Sequence, residues 1–254
     1  MDIFSSIIIG VIEGFTEFLP ISSTGHMIVV SKFLNLPQDT AMKAYEVIIQ
    51  FAAILAVLIE YRDKITLKEI TLWQKVLVAF LPLLIIGYIF KDQIKALFDP
   101  TLVAYMFIIG GIAFLVIEYF YKEEKTRVKD LDSLTFKDAF IIGLFQLLSF
   151  IPGTSRAGST IAGSMLIGVN RKAAAEFSFL LAIPVMGAVS AYDLLKHYKD
   201  LMQGDLVAYG VGFVTAFVVA YITIKLFLAF ISRFSFVPFG IYRILFGIFL
   251  LYIF

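Results

Sequence analysis

The residues best suited to chemistry lie between Glu13 and His26, in the stretch Glu-Gly-Phe-Thr-Glu-Phe-Leu-Pro-Ile-Ser-Ser-Thr-Gly-His. Glu13 and Glu17 are four residues apart and project from one face of a helix. Paired carboxylates at that spacing can hold a divalent cation or divide the roles of acid and base. Backbone capping by one of them is the structural alternative. Pro20 then reads as a helix stop, and Ser22, Ser23 and Thr24 as cap residues that open a new short helix. His26 follows Ser23 by three residues, close enough on a helix for a hydrogen bond. It can serve as general base or as nucleophile, against the usual structural role of a lone histidine.

A second stretch, Gln146 to Thr160, repeats the pattern: Pro152 and Gly153 stop a helix, and Thr154 and Ser155 open another. A helix N-terminus presents unsatisfied N–H groups and a positive dipole. Two such ends converging on one place make an anion site. Arg156 strengthens it, because a guanidinium fork matches phosphate oxygens and keeps its charge. An ion pair of Arg156 with Glu13 or Glu17 is compatible with that role. Both stretches sit in apolar sequence, where ionisable groups are expensive and by default mark a functional site. The bland alternative is that Pro and Gly only kink membrane helices. Arg243, in Pro-Phe-Gly-Ile-Tyr-Arg, belongs either to the site or to the membrane interface by snorkelling. His197, in Lys-His-Tyr-Lys, reads as a solvated loop residue.

The elements that must position these groups follow from composition. With 60% hydrophobic residues and 27 phenylalanines among 254 residues, the chain has too little polar surface for a soluble globule. A net charge of +1 gives no basic footprint, so no nucleic-acid partner is expected, and the absence of cysteine excludes disulfides and thiol catalysis. The start of the chain lacks a basic region and its apolar run is interrupted by Glu13 and Glu17, which argues against a cleaved signal peptide. Apolar runs near 43–61, 76–90, 102–121, 174–195, 206–230 and 238–254 read as about six spans. Lysines and arginines gather at 62–75 and 122–137, which the positive-inside rule places in the cytoplasm. Residues 1–42 then begin and end outside and 138–172 inside, so each motif region is a re-entrant helical hairpin. Aligning Pro20 with Pro152 brings Ser22-Ser23 onto Thr154-Ser155, and the stretch from Glu46 falls near that from Glu176. The expected fold is an all-α polytopic membrane protein, one membrane domain over 1–254. It has six transmembrane helices and two hairpins, with repeat 1 at about 1–121 and an inverted repeat 2 at about 138–254 around a cytoplasmic loop, 122–137. Inverted repeats with broken helices place their site where the breaks meet.

The first motif, together with Pro-Gly-Thr-Ser-Arg-x-Gly-x-Thr-Ile and Phe-Val-Pro-Phe-Gly-Ile-Tyr-Arg, resembles the signatures of the bacterial undecaprenyl-diphosphate phosphatases of the bacitracin-resistance type, over the whole chain. The resemblance implies a multi-pass protein of the bacterial plasma (inner) membrane with its site facing outward. It also implies hydrolysis of a C55 isoprenyl diphosphate that recycles the lipid carrier for cell-wall synthesis, and a divalent metal, Mg or Ca. The family's acidic motif falls on Glu13 and Glu17, its Ser-Ser-Thr-Gly-His on Ser22 to His26, its second-motif serine and arginine on Ser155 and Arg156, and its C-terminal arginine on Arg243. The expected roles are metal binding by Glu13 and Glu17, attack by Ser23 or a water with His26 moving the proton, and substrate contacts from Ser22, Thr24, Ser155, Arg156, Thr160 and Arg243. The chain departs from the usual pattern at Ala157, where the family has Ser; Ser159 or Thr160 is the substitute. The expected partners are a polyprenyl diphosphate and the bilayer, with a homodimer left open. The rival class is a polyprenyl-phosphate flippase or secondary transporter with a midplane anion site. The clustered nucleophile, base and acids favour the enzyme.

Overall fold

The computed structural model describes residues 1–37, 39–201 and 205–254, and leaves out the side chains of residues 40, 41, 95, 193 and 196–201. The described residues are helical, with no strand beyond one isolated bridge between Val128 and Val169. The α-helices are α1 (Ile3–Thr16), α2 (Ser23–Phe33), α3 (Thr40–Glu60), α4 (Ile70–Ile89), α5 (Lys91–Ala96), α6 (Pro100–Phe120), α7 (Phe136–Gln146), α8 (Arg156–Leu166), α9 (Arg171–Leu201), α10 (Leu206–Ile231) and α11 (Val237–Ile253). Their starts are written into the chain. Asp2, Asp39, Asp99 and Asp205 each accept a first-turn N–H, and Thr135 with Asp138 forms a reciprocal capping box on α7.

Five segments are long and apolar enough to cross a membrane: Met42–Glu60, Leu67–Ile89, Pro100–Phe120, Arg171–Tyr192 and Leu206–Ile231. The molecule is thus an all-helical polytopic membrane protein. The sixth expected span is the 17-residue helix α11, which at about 1.5 Å per residue reaches only ~26 Å. The second span begins earlier than its apolar run suggests, because Lys75 lies inside α4. Its Nζ donates to the Asp132 carbonyl at 3.1 Å and so leaves the stem buried. Helix α9 continues through 196–199, where the sequence suggests a loop; the side chain of His197 lies outside the described residues.

Pairing is by close backbone approach. α1 lies along α10, α7 along α4, α3 along α9 and α6 along α11. A Cβ on Gly10 would stand 2.7 Å from the Gly212 carbonyl, and one on Gly111 2.6 Å from that of Gly240. Small residues at these crossings let the helices meet where no hydrophobic force drives association. Outward faces carry large apolar residues such as Leu226, Tyr119 and Tyr252.

The end of the molecule that holds the 121–135 connection is knitted by charge. Glu118, apolar by its sequence surroundings, receives Arg171 through Nε at 2.9 Å and Nη2 at 2.5 Å, and the Phe236 N–H at 2.7 Å. Arg127 is paired with Asp138, and Arg171 also reaches the half-exposed Glu123 at 2.7 Å. Removing one partner of a buried pair leaves an uncompensated charge, whereas an exposed pair contributes little. Glu118→Ala should therefore lower unfolding stability in detergent by about 3–5 kcal/mol and Glu123→Ala by less than about 1 kcal/mol, compared by denaturant titration of the two purified variants.

Candidate active site

Helix α1 ends at Thr16, four residues before Pro20, because proline offers no N–H and disfavours helical geometry at the preceding residue. The chain turns through residues 17–22, and α2 restarts at Ser23 with Ser22 at its N-cap. The second motif does the same: α7 ends at Gln146, a short turn follows, and α8 starts at Arg156 behind Ser155. Ser22 and Ser155 both hold positive φ, 66° and 75°, conformations that cost a non-glycine residue about 1–3 kcal/mol and persist only when their surroundings fix them. The matched N-caps correct the register read from the prolines. Ser22 corresponds to Ser155, and Ser23 to Arg156, one residue later than the proline alignment has it, with Gly153 in the longer turn.

The two restarts face each other across one cleft of about 280 Å³. Glu17, Ser22, Ser23 and Thr24 line it from the first motif, and Pro152, Gly153, Ser155 and Arg156 from the second. Its apolar wall is built by Leu83, Phe98, Phe150, Val185, Met186 and Val189. At its centre the Glu17 carboxylate serves two partners. Oε2 accepts the Ser23 hydroxyl at 2.6 Å, and Oε1 accepts Arg156 Nη2 at 3.1 Å. Arg156 is held from behind by the Ser178 carbonyl at 2.9 Å, and its guanidinium carbon stands 6.0 Å from the Phe18 ring centroid.

Four expected site residues are placed elsewhere. Thr160 is fully buried off the cleft, donating to the Arg156 carbonyl and lying 2.7 Å from the Ser178 hydroxyl, so it braces the arginine. Arg243 neither lines the cleft nor snorkels. It is fully buried, donates to the carbonyls of Pro20 at 3.0 Å, Gly153 at 3.0 Å and Met106 at 2.9 Å, and lies over the Phe107 ring. His26 turns away from Ser23: Nδ1 is 2.8 Å from the Ser22 carbonyl and Nε2 2.6 Å from the Tyr242 hydroxyl. Glu13 is buried behind the cleft, and its Oε1 has no hydrogen-bond partner.

Gln50, Ser178 and Tyr242 complete the surroundings and escape a reading of the two motifs alone, and Ser149, inside the second stretch, lines the cleft although the motif reading does not single it out. Gln50 had a signal, since Glu46 and Gln50 form a polar pair one turn apart inside an apolar run. The residues present fit a cation. An orphaned, buried carboxylate oxygen on Glu13 is costly without a partner, and Glu17 lies one turn on. Among the described residues no cluster of three or more His, Cys, Asp or Glu side chains could hold a metal ion, so Glu13 and Glu17 would hold one only with further ligands from outside the protein.

The two N-caps differ in one respect. Ser155 Oγ accepts the Gly158 N–H at 3.0 Å, whereas Ser22 makes no side-chain cap and leaves the first N–H groups of α2 without one. Ser155→Ala should cost about 1 kcal/mol of thermal stability and Ser22→Ala close to nothing, measured by thermal unfolding in detergent; equal losses would contradict the asymmetry.

A family model described as bacitracin resistance protein BacA matches residues 6–249. The chain is 64% identical over 253 residues to the undecaprenyl-diphosphatase of Sulfurovum sp. (strain NBC37-1), covering all of both chains. It is 60% identical over 255 residues to the undecaprenyl-diphosphatase of Sulfurimonas denitrificans, again over the full length of both. Against the protein of that name from Methanococcus aeolicus it is 50% identical over 254 residues, covering 100% of this chain and 99% of the other.

Proposed function

The chain belongs to the bacitracin resistance protein BacA family and is a membrane undecaprenyl-diphosphatase, and from that premise we propose how its residues carry out the hydrolysis. The diphosphate enters the cleft against Arg156 and the uncapped N-terminus of α2, while the isoprenyl tail runs along the apolar wall toward the bilayer. Ser23 Oγ attacks the terminal phosphorus as its proton passes to Glu17 Oε2. The new Oγ–P bond replaces the bond to the bridging oxygen, and the lipid monophosphate leaves. Glu17 then releases that proton to solvent, takes one from the water that attacks phosphorus, and passes it to Ser23 Oγ as the Oγ–P bond breaks, so that inorganic phosphate departs with serine and carboxylate restored. The observation that carries this reading is the 2.6 Å bond between Ser23 and Glu17, since a serine becomes a competent nucleophile beside a base. In this reading Glu17 takes the place expected of His26, whose nitrogens face the Ser22 carbonyl and the Tyr242 hydroxyl instead of Ser23 Oγ.

Glu13 and Glu17 would hold a divalent cation, Mg or Ca. Bound there, it would supply positive charge against the phosphoryl oxygens. Glu13 contributes the oxygen that no protein group occupies. Arg156 contributes a cation whose position is fixed by Ser178 and Glu17.

We also assign α1–α2 and α7–α8 to re-entrant hairpins, inverted with respect to each other, and the mouth of the cleft to the outer side of the bacterial plasma membrane, which the lining by Phe98 of the outer 91–101 connection supports. The alternation of α1–α10 with α7–α4 pairing, and of the two positive-φ serines, supports this assignment. The product lipid monophosphate is then released where cell-wall polymers are finished. A transporter would need no serine–carboxylate pair at its anion site.

Phosphate release from the detergent-solubilised protein, which has no second compartment, tests the enzyme. Ser23→Ala and Glu17→Gln should each lower kcat by at least about 10³-fold, within the range for loss of a nucleophile or a general base. Arg156→Lys should lower kcat/KM by about 10²-fold, because an ammonium cannot make the forked contact. Glu13→Gln should raise the Mg²⁺ concentration needed for half-maximal rate. Ser23→Ala retaining near-normal turnover would exclude the serine and leave water as the nucleophile.

A further inference from the structure

His26 takes no part in the proton transfer proposed above, yet both of its ring nitrogens are bonded. A carbonyl oxygen can only accept, so the nitrogen facing Ser22, Nδ1, carries a proton. In the neutral ring Nε2 is then the acceptor, and the Tyr242 hydroxyl at 2.6 Å donates to it. The imidazole is packed between rings: the Phe246 centroid is 4.3 Å away and nearly parallel, and those of Phe107 and Tyr242 are each at 5.7 Å. A phenol on α11 thus sets the tautomer of a histidine on α2, and that histidine grips the carbonyl of a residue with positive φ.

The gripped carbonyl belongs to the peptide group that joins Ser22 to Ser23. Fixing that plane fixes the Cα of Ser23, and with it the direction of the hydroxyl toward Glu17. Ser22 has no side-chain cap to hold it from the other side. We propose that Tyr242 is a positioning residue for the hydrolysis, acting through His26 on the Ser22 carbonyl to hold Ser23 in line for attack. The inference rests on Ser23 being the attacking group. A displacement of about 1 Å in such a group lowers rate by about 10²-fold, so a bond touching no substrate can matter to kcat.

The chain has two histidines, which makes the tautomer directly observable. In ¹⁵N-histidine-labelled protein in detergent, with a His197→Gln variant to assign the signals, His26 should show a protonated Nδ1 and an unprotonated, hydrogen-bonded Nε2. Tyr242→Phe should move the Nε2 signal and lower kcat by roughly 10- to 100-fold, with KM within about twofold and an unchanged thermal midpoint. His26→Asn, whose amide N–H replaces Nδ1–H, should retain at least about tenfold more kcat than His26→Ala or His26→Gln; a general base would be lost equally in all three. A protonated Nε2 in the parent protein, a Tyr242→Phe variant of normal kcat, or His26→Asn as inactive as His26→Ala would each overturn the proposal. Activity surviving Ser23→Ala would instead remove the attack assignment while leaving the tautomer signal standing.

Discussion

Breaking a helix inside an apolar layer opens carbonyls that hydrocarbon cannot satisfy, at several kcal/mol each, and Arg243 is the group that answers them. Its Nη1 takes the Pro20 carbonyl and its Nη2 those of Gly153 and Met106. Pro20 and Gly153 belong to different broken turns, so one guanidinium fixes the separation of the two motifs. Arginine suits this because its donors lie in a planar fork and its charge survives burial better than that of lysine. Among the described residues no carboxylate pairs with it, and three carbonyl dipoles and the Phe107 face stand in for one. Everything in the cleft inherits its geometry from this contact, although Arg243 does not line it.

Electrostatics then set what the cleft can do. Arg156 and Glu17 are about as buried as each other, with 10% of each side chain exposed. A pair so placed adds little net stability, since desolvation offsets the attraction. What it adds is arrangement: the carboxylate is turned toward Ser23 by the same bond that orients the guanidinium. An arriving diphosphate brings more negative charge beside Glu17, and Arg156 together with the α2 N-terminus must offset it. The apolar wall raises the strength of those interactions by excluding water.

Much of this was legible in the chain, and the boundary follows the range of the forces involved. Helix starts are local events: the restarts behind the two motif serines read from the sequence, and the caps at Asp39, Asp99 and Thr135 follow the same short-range chemistry. The convergence of the motifs was legible because ionisable residues in apolar sequence imply partners in space. The particular partners were not. His26 meets Tyr242 from 216 residues away, and sequence spacing offered only Ser23. Arg243 carries no mark that separates a surface-seeking arginine from a buried clamp; that depends on two carbonyls from the broken turns and a third from α6, all distant in sequence. Glu118 was invisible for the same reason, being one acid in an apolar helix until Arg171 and the Phe236 N–H surround it. Gly153 shifted the register because a positive φ, here 91°, lets a turn gain one residue without changing the helix that follows.

The corrected register bears on how one unit came to do two jobs. Ser23 and Arg156 each occupy the first position of an 11-residue helix behind a positive-φ serine. At that position the side chain springs from the mouth of the helix dipole, toward whatever anion the N-terminus attracts. In the proposed inverted pair, both copies therefore point the same structural position at one phosphate. A hydroxyl there can attack it and a guanidinium can hold it, but neither can do both. The capping difference follows the same division. Ser155 closes its helix end with a hydrogen bond, whereas the end behind Ser23 is left without a side-chain cap, and in the proposed mechanism that open end receives oxygen as the bond to phosphorus forms. In the proposed mechanism Glu17 serves both halves, as base to Ser23 and counter-ion to Arg156, besides its share in holding the cation, and both protein contacts fall on its single carboxylate.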